Sequence, residues 1–254
     1  MIYFDSQNPN KYNFLKKEIF PYKTSYTKKR YGGKTDGSYV FLEELINESK
    51  FVYSFGINSG TDAIKFDLEM AEMGKTVFMY DGSIECPSVI HPSCVFTKEY
   101  ISKDNFLNCL RNNNHLSEDK MVLKVDIDGC EYDLFNNNIE QIAKHFNQIS
   151  IEIHSLIEEA PPEWKIDSLN LDLMKDKEIK KLFFHNVKKH YNIVHIHANN
   201  HSPRYVDFPS SIEILFLRKD SPVGEVENTR YPIKGLDYPN YDGREDYVLD
   251  WWVS

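Results

Sequence analysis

Phe51-Val52-Tyr53-Ser54-Phe55-Gly56, continuing as Ile57-Asn58-Ser59-Gly60-Thr61-Asp62, is a short apolar run that stops at a glycine and gives way to a helical pattern over 61–73, closed by Gly74. A run of aromatic and β-branched residues reads as a strand, and a glycine just past a periodic stretch reads as a helix end. The unit then recurs. Thr76-Val77-Phe78-Met79-Tyr80 stops at Asp81, and a weaker run over 93–97 precedes a helical stretch over 103–111. Met121-Val122-Leu123-Lys124-Val125-Asp126 turns at Gly129 into a helix starting near Cys130. Runs over 148–154, 192–197 and 212–217 complete seven, with a helix over 177–190 between the first two of them. Strands alternating with helices are the sequence form of βαβ units and a parallel sheet. No long helix separates the last two runs, which predicts an antiparallel hairpin at the edge of the sheet, joined by a loop over 199–210.

A chain of 254 residues accommodates one such α/β domain with additions at both ends. The reading is a single domain made of a cap segment over 1–50, a core over 51–219 and a tail over 220–254. Residues 11–20 suggest a short helix stopped near Pro21, and the polar stretch over 23–38 reads as a cap. Tyr231, Tyr238, Tyr241, Trp251 and Trp252 crowd the tail. Aromatics at that density predict docking, on the same domain or on a second copy in a homo-oligomer.

Hydrophobic residues at 41% and charged residues at 27% are ordinary for a globular protein. A net charge of −9 argues against nucleic acid as a partner, because phosphate neutralisation needs clustered Lys and Arg. The one tight basic run, Lys28-Lys29-Arg30, reads as a solvated loop. Cys86, Cys94, Cys109 and Cys130 form no CxxC pair and no zinc-finger spacing, which points to reduced thiols and a cytoplasmic protein. The N-terminus lacks a basic start followed by an apolar core, and no run of about eighteen apolar residues occurs. No export signal and no membrane partner are expected.

Five strand ends carry the chemistry. The turn Gly56 to Asp62 lies between a strand and a helix, where backbone N–H groups face a ligand. Asp81, followed by Gly82 and Ser83, ends the second strand, where a carboxylate can accept from both hydroxyls of a ribose. In Val125-Asp126-Ile127-Asp128-Gly129-Cys130-Glu131, strand alternation puts Lys124, Asp126 and Asp128 on one side. Glu152 and His154 share a face of the fifth strand, and His195, His197 and Asn199 share one of the sixth. Asp126, Asp128, His154 and His197 are therefore expected to converge at the carboxyl edge of the sheet, where open α/β sheets bind ligands.

From about residue 32 to residue 219 the chain resembles the FkbM-type methyltransferases. The likeness rests on the Gly56 to Gly60 loop, Asp81, Asp126-Ile127-Asp128-Gly129-Cys130-Glu131 and Ile151-Glu152-Ile153-His154. It implies a Rossmann-like, seven-stranded, mainly parallel sheet with an antiparallel last strand and helices on both faces. It also implies S-adenosylmethionine over the first two strands and an acceptor hydroxyl near the fourth. The segment 32–39, with Gly37 and Tyr39, resembles a stretch that lies beside the cofactor. The sequence departs from the family at Phe55, where an Asp is usual, at Asp128, where Glu is commoner, and at Cys130, where Ala is commoner.

The resulting expectation is an O-methyltransferase that converts S-adenosylmethionine to S-adenosylhomocysteine on a small hydroxylated acceptor, a sugar or nucleotide-linked sugar. Asp126 or His154 would take the hydroxyl proton, with Asp128 and His197 positioning the acceptor or a divalent metal ion held by Asp126, Asp128, His154 and His197. The cofactor would contact Gly37, Tyr39, Phe55, Gly56, Asn58, Ser59, Asp62, Asp81, Gly82, Ser83 and Asp126. Two alternatives are a metal-dependent glycosyltransferase using Asp126-Ile127-Asp128 and a non-catalytic binding module.

Overall fold

A computed structural model describes residues 10–58, 60, 62–157, 176–205 and 208–253. In chain order its elements are α1 (Asn13–Lys16), β1 (Lys28–Tyr31), β2 (Tyr39–Leu42), α2 (Glu43–Glu48), β3 (Phe51–Phe55), α3 (Lys65–Glu72), β4 (Thr76–Tyr80) and β5 (Cys94–Thr97). These are followed by α4 (Phe106–Asn112), β6 (Met121–Val125), α5 (Glu131–His145), β7 (Phe146–Ile153), α6 (Lys177–His190), β8 (Tyr191–Ala198), β9 (Arg204–Tyr205), β10 (Phe208–Pro209) and β11 (Ile212–Arg218).

Seven strands form one sheet in the order β5-β4-β3-β6-β7-β11-β8. Every pairing from β5 to β7 is parallel, and β11 runs antiparallel to both its neighbours. The fold is thus α/β with a mainly parallel seven-stranded sheet and an antiparallel last strand. The expected hairpin of the last two strands exists and forms one edge of the sheet. β11 lies inside the sheet, between β7 and β8, and β8 is the edge. Ile212 to Leu217 are all buried, as befits a strand covered on both faces.

The alternation of each strand sorts its side chains into two layers. Tyr53, Phe55, Phe78, Tyr80, Leu123 and Val125 face one way and pack with apolar residues of α4, α5 and α6. Val52, Val77, Met79 and Val122 face the other way and pack with α2, α3 and the β1–β2 hairpin. Helices therefore cover both faces. The hairpin is moored by Gln148, whose side chain accepts from Leu42 N at 2.8 Å and donates to Leu42 O at 3.2 Å.

Lys28-Lys29-Arg30 is a strand here and not a solvated loop, because each cation has its own acid. Lys28 pairs with Glu227 at 2.7 Å and Lys29 with Glu43 at 2.8 Å, while Arg30 lies 3.6 Å from Glu213 and 3.8 Å from Asp237. The described part of the tail packs on the domain. Tyr231 and Leu249 are buried and bridge each other, and the Trp251 indole N–H donates to Ile19 O at 2.8 Å. All four cysteines are free thiols. Among the described residues no helix is long and apolar enough to cross a membrane.

Candidate active site

β3 leads through α3 to β4 on one side of the sheet, while β6 and β7 lie on its other side, so the carboxyl ends of β3 and β6 mark a switch in strand order. That is where a crevice opens in such sheets. A cavity of about 430 Å³ sits there, within the range of roughly 300–1,000 Å³ common to small-molecule sites. Asp36, Gly37, Tyr39, Gly56, Asn58, Asp81, Gly82, Ser83 and Tyr100 line one part of it. Asp126, Asp128, Glu152, His154, Asn199, Ser202, Ser210 and Ser211 line the rest.

Asp81 organises the first part. Its Oδ2 accepts from Ile57 N and Asn58 N, each at 3.0 Å, and its Oδ1 accepts from Ser83 N at 2.7 Å and Ser83 Oγ at 2.6 Å. Burial opposes its ionisation, but the hydrogen bonds from Ser83, Asn58 and Ile57 outweigh burial and hold the carboxyl below its usual range. The turn N–H groups are therefore not free, as the sequence suggested; Asp81 occupies them. A carboxylate has about four acceptor positions, so any further donor would have to exchange with one of these.

Gly56 is required by the backbone itself. With φ at +71°, a Cβ there would stand 1.7 Å from Asp126 O, so only glycine lets the ends of β3 and β6 meet. At Gly37, φ +81°, a Cβ would press to 2.8 Å from Ala63 Cα, which seats the loop before β2 against the turn that follows Gly60.

The second part centres on Asp126. Tyr39 Oη donates to its Oδ2 at 2.8 Å, and Lys124 Nζ lies 3.7 Å from the same oxygen. Lys124 is buried, donates to Gly56 O and stands over the Tyr39 ring at 5.0 Å. His154 Nε2 is 3.6 Å from Asp126 Oδ1, 3.6 Å from Glu152 Oε1 and 3.9 Å from Asp128 Oδ1. Its Nδ1 is 2.9 Å from Glu131 Oε1, an oxygen that also accepts from Ile127 N. Glu131, fully buried in the first turn of α5, faces the positive end of the helix.

Burial alone would take the proton from His154, but Glu131, Glu152 and Asp126 outweigh it and hold the imidazole pKa well above the ordinary histidine value. Burial, reinforced by Asp126 and opposed by His154, pushes the Glu152 carboxyl well above its usual range. An imidazole so raised keeps its proton at neutral pH, which does not suit the role of base expected of it.

Several residues fall elsewhere. His197 is buried between Glu213, at 3.3 Å, and Asp246 of the tail, at 2.9 Å, and does not line the cavity. Glu152, not His197, completes the group with Asp126 and His154, whose ligand-type atoms lie within 4.8 Å of one another. The cause is the strand order: β11 separates β7 from β8 by two strand spacings, about 10 Å. Asp128, with its side chain 75% exposed and φ at +51°, stands at the cavity mouth. Phe55 is buried against Tyr53, Tyr80 and Phe106, outside the cavity lining. Asp62 pairs with Lys65 at 2.5 Å outside the cavity lining. Ser59 and Thr61 lie outside the described residues.

Sequence reasoning missed Glu131, Tyr100 and Asn199 as site residues. Asn199 donates to Glu152 Oε1 at 2.7 Å. Tyr100 follows β5, and its exposed ring lies against Gly82. A signal existed for Glu131, an acid one helical turn past a strand-end acid, but an acid at a helix start is usually a capping feature.

No family model matches the chain, and no curated protein matches it. Solved structures that it resembles include a candidate hemolysin from Streptococcus thermophilus, at TM-score 0.39 and 11% identity over 73% of each chain. Another is the multifunctional RNA-capping protein VP4 of bluetongue virus, at TM-score 0.37 and 12% identity over 81% of this chain and 30% of that one. A third is a mutant 16S rRNA (adenine(1408)-N(1))-methyltransferase from Catenulisporales acidiphilia, at TM-score 0.34 and 10% identity over 78% and 99%.

Proposed function

We propose that the chain is an S-adenosylmethionine-dependent O-methyltransferase acting on a hydroxyl of a small neutral acceptor, of the sugar class. One observation carries the reading: a single cavity runs from the Asp81 and Tyr100 edge to the Asp126, Glu152 and His154 group. The first part offers a carboxylate, a flat aromatic ring and backbone held close by Gly37, which suits a nucleoside. The second offers carboxylates, an imidazole, an amide and three serine hydroxyls, which suits a polyol.

The cofactor would supply an activated sulfonium methyl, so that the S–CH3 bond breaks as the O–CH3 bond forms. The chain's own tasks are alignment and proton removal. Asn199, Ser202, Ser210 and Ser211 would fix the acceptor, and its proton would leave to Asp126. With Asp36, Asp126, Asp128 and Glu152 on the wall and Lys124 already engaged, a nucleotide-linked sugar would set phosphate charge against carboxylates unless a cation stood between them.

Thermal melting with S-adenosylhomocysteine or UDP-glucose tests the reading. A ligand that binds only the folded state raises the melting temperature. S-adenosylhomocysteine is expected to raise it and UDP-glucose, with or without manganese, to leave it unchanged; the reverse pattern would replace this proposal with the glycosyltransferase.

A further inference from the structure

His154 Nε2 faces three carboxylates at 3.6, 3.6 and 3.9 Å, all beyond hydrogen-bond distance. Three ligands each about 2.0–2.2 Å from a shared ion would stand roughly 3–3.5 Å apart, close to this spacing. The gap is ion-sized, and the atoms bounding it come from two carboxylates and one imidazole.

The neighbours supply an independent argument. Glu131 engages His154 at Nδ1, which turns Nε2 toward the carboxylates. Tyr39 holds Asp126 through Oδ2, leaving Oδ1 toward the histidine. Asn199 holds Glu152. Each of the three side chains is thus oriented by a separate buried partner, the arrangement that fixes ligands around a metal. Charge points the same way: four carboxylates, counting Asp128 and Glu131, surround one imidazole and one lysine.

We propose that Asp126, Glu152 and His154 form a divalent-cation site, with Glu131 as its positioning residue. Mixed carboxylate and imidazole donors suit manganese, iron(II) or zinc better than calcium. Three protein ligands leave coordination positions open toward the cavity, where an acceptor hydroxyl would bind and ionise more readily. That catalytic consequence rests on the methyltransferase reading; the binding itself does not.

The test is titration of the metal-free full chain with Mn2+ alone, following free Mn2+ by its electron paramagnetic resonance signal. The expected result is one ion per chain. Glu152→Gln and His154→Ala should each weaken binding at least tenfold, and Glu131→Gln by about tenfold. No stoichiometric binding by the unaltered chain, or unchanged affinity in the isosteric Glu152→Gln variant, would overturn the site. Titration of the same metal-free samples with S-adenosylhomocysteine separates the two ideas: if Mn2+ fails to bind while S-adenosylhomocysteine binds, the ion site alone falls.

Discussion

Tyr39 and Asp126 meet through a 2.8 Å hydrogen bond from the phenol to Oδ2, which ties the hairpin in front of the sheet to the central strand end. Burial, with Asp126 next, pushes the Tyr39 pKa well above the usual tyrosine value, so the phenol remains a donor across the working range of pH. Tyr39→Phe should lower stability by about 1 kcal/mol and slow methyl transfer by roughly tenfold or more, since Asp126 loses its orientation. Affinity for S-adenosylhomocysteine should change little. Denaturant melts and single-turnover rates measure both; an unaltered rate would remove Asp126 from the chemistry.

His197 predicts how stability varies with pH. Burial would lower its pKa, but Asp246 and Glu213 outweigh burial and raise it to about 10. A histidine so raised stabilises fully below its unfolded value of about 6.5 and loses that contribution as pH climbs toward 10. Asp237 is opposed by burial but held down to about 2 by His195 and His197, so its contribution is complete above about 3.9 and fades as pH falls toward 2. His195, lowered by burial, subtracts stability below about 6.5. The maximum should lie near pH 6.5. Melting temperatures across pH 4 to 10 check this, and His197→Gln should flatten the alkaline limb; an unchanged limb would contradict the assignment.

Removing the tail after Lys219 should be costly. It deletes buried Tyr231 and Leu249, and it strips Asp237 from His195 and Arg30 and Asp246 from His197. Losing buried apolar contacts and one side of buried ion pairs predicts a loss of about 3 kcal/mol or more. The truncated chain should melt well below the full one or fail to stay in solution. An equal melting temperature would refute it.

Much of the fold was legible because the central strands are short apolar runs ended by a turn residue. Phe51–Phe55, Thr76–Tyr80 and Lys177–His190 were readable to the residue. The β1–β2 hairpin was not, since Lys28, Lys29 and Arg30 look solvated until Glu227, Glu43 and Glu213 arrive from distant parts of the chain. Local alternation placed His197 correctly on its strand, and His154 stands one residue past the end of β7. Whether they meet depends on which strand lies between, and insertion of β11 is a matter of topology that alternation does not record. Glu152 was visible beside His154, but its partner Asn199 becomes a neighbour only across β11.

Calorimetric titration with S-adenosylhomocysteine tests the central claim, with Asp81→Ala as the paired variant. Asp81 holds Ile57, Asn58 and Ser83 and is the proposed partner of the ribose. The account predicts one binding site per chain in the unaltered protein, and affinity weaker by about 1–3 kcal/mol in the variant, the range for a charge-assisted hydrogen bond. Absence of binding by the unaltered protein at millimolar ligand, or equal affinity in Asp81→Ala, would contradict it.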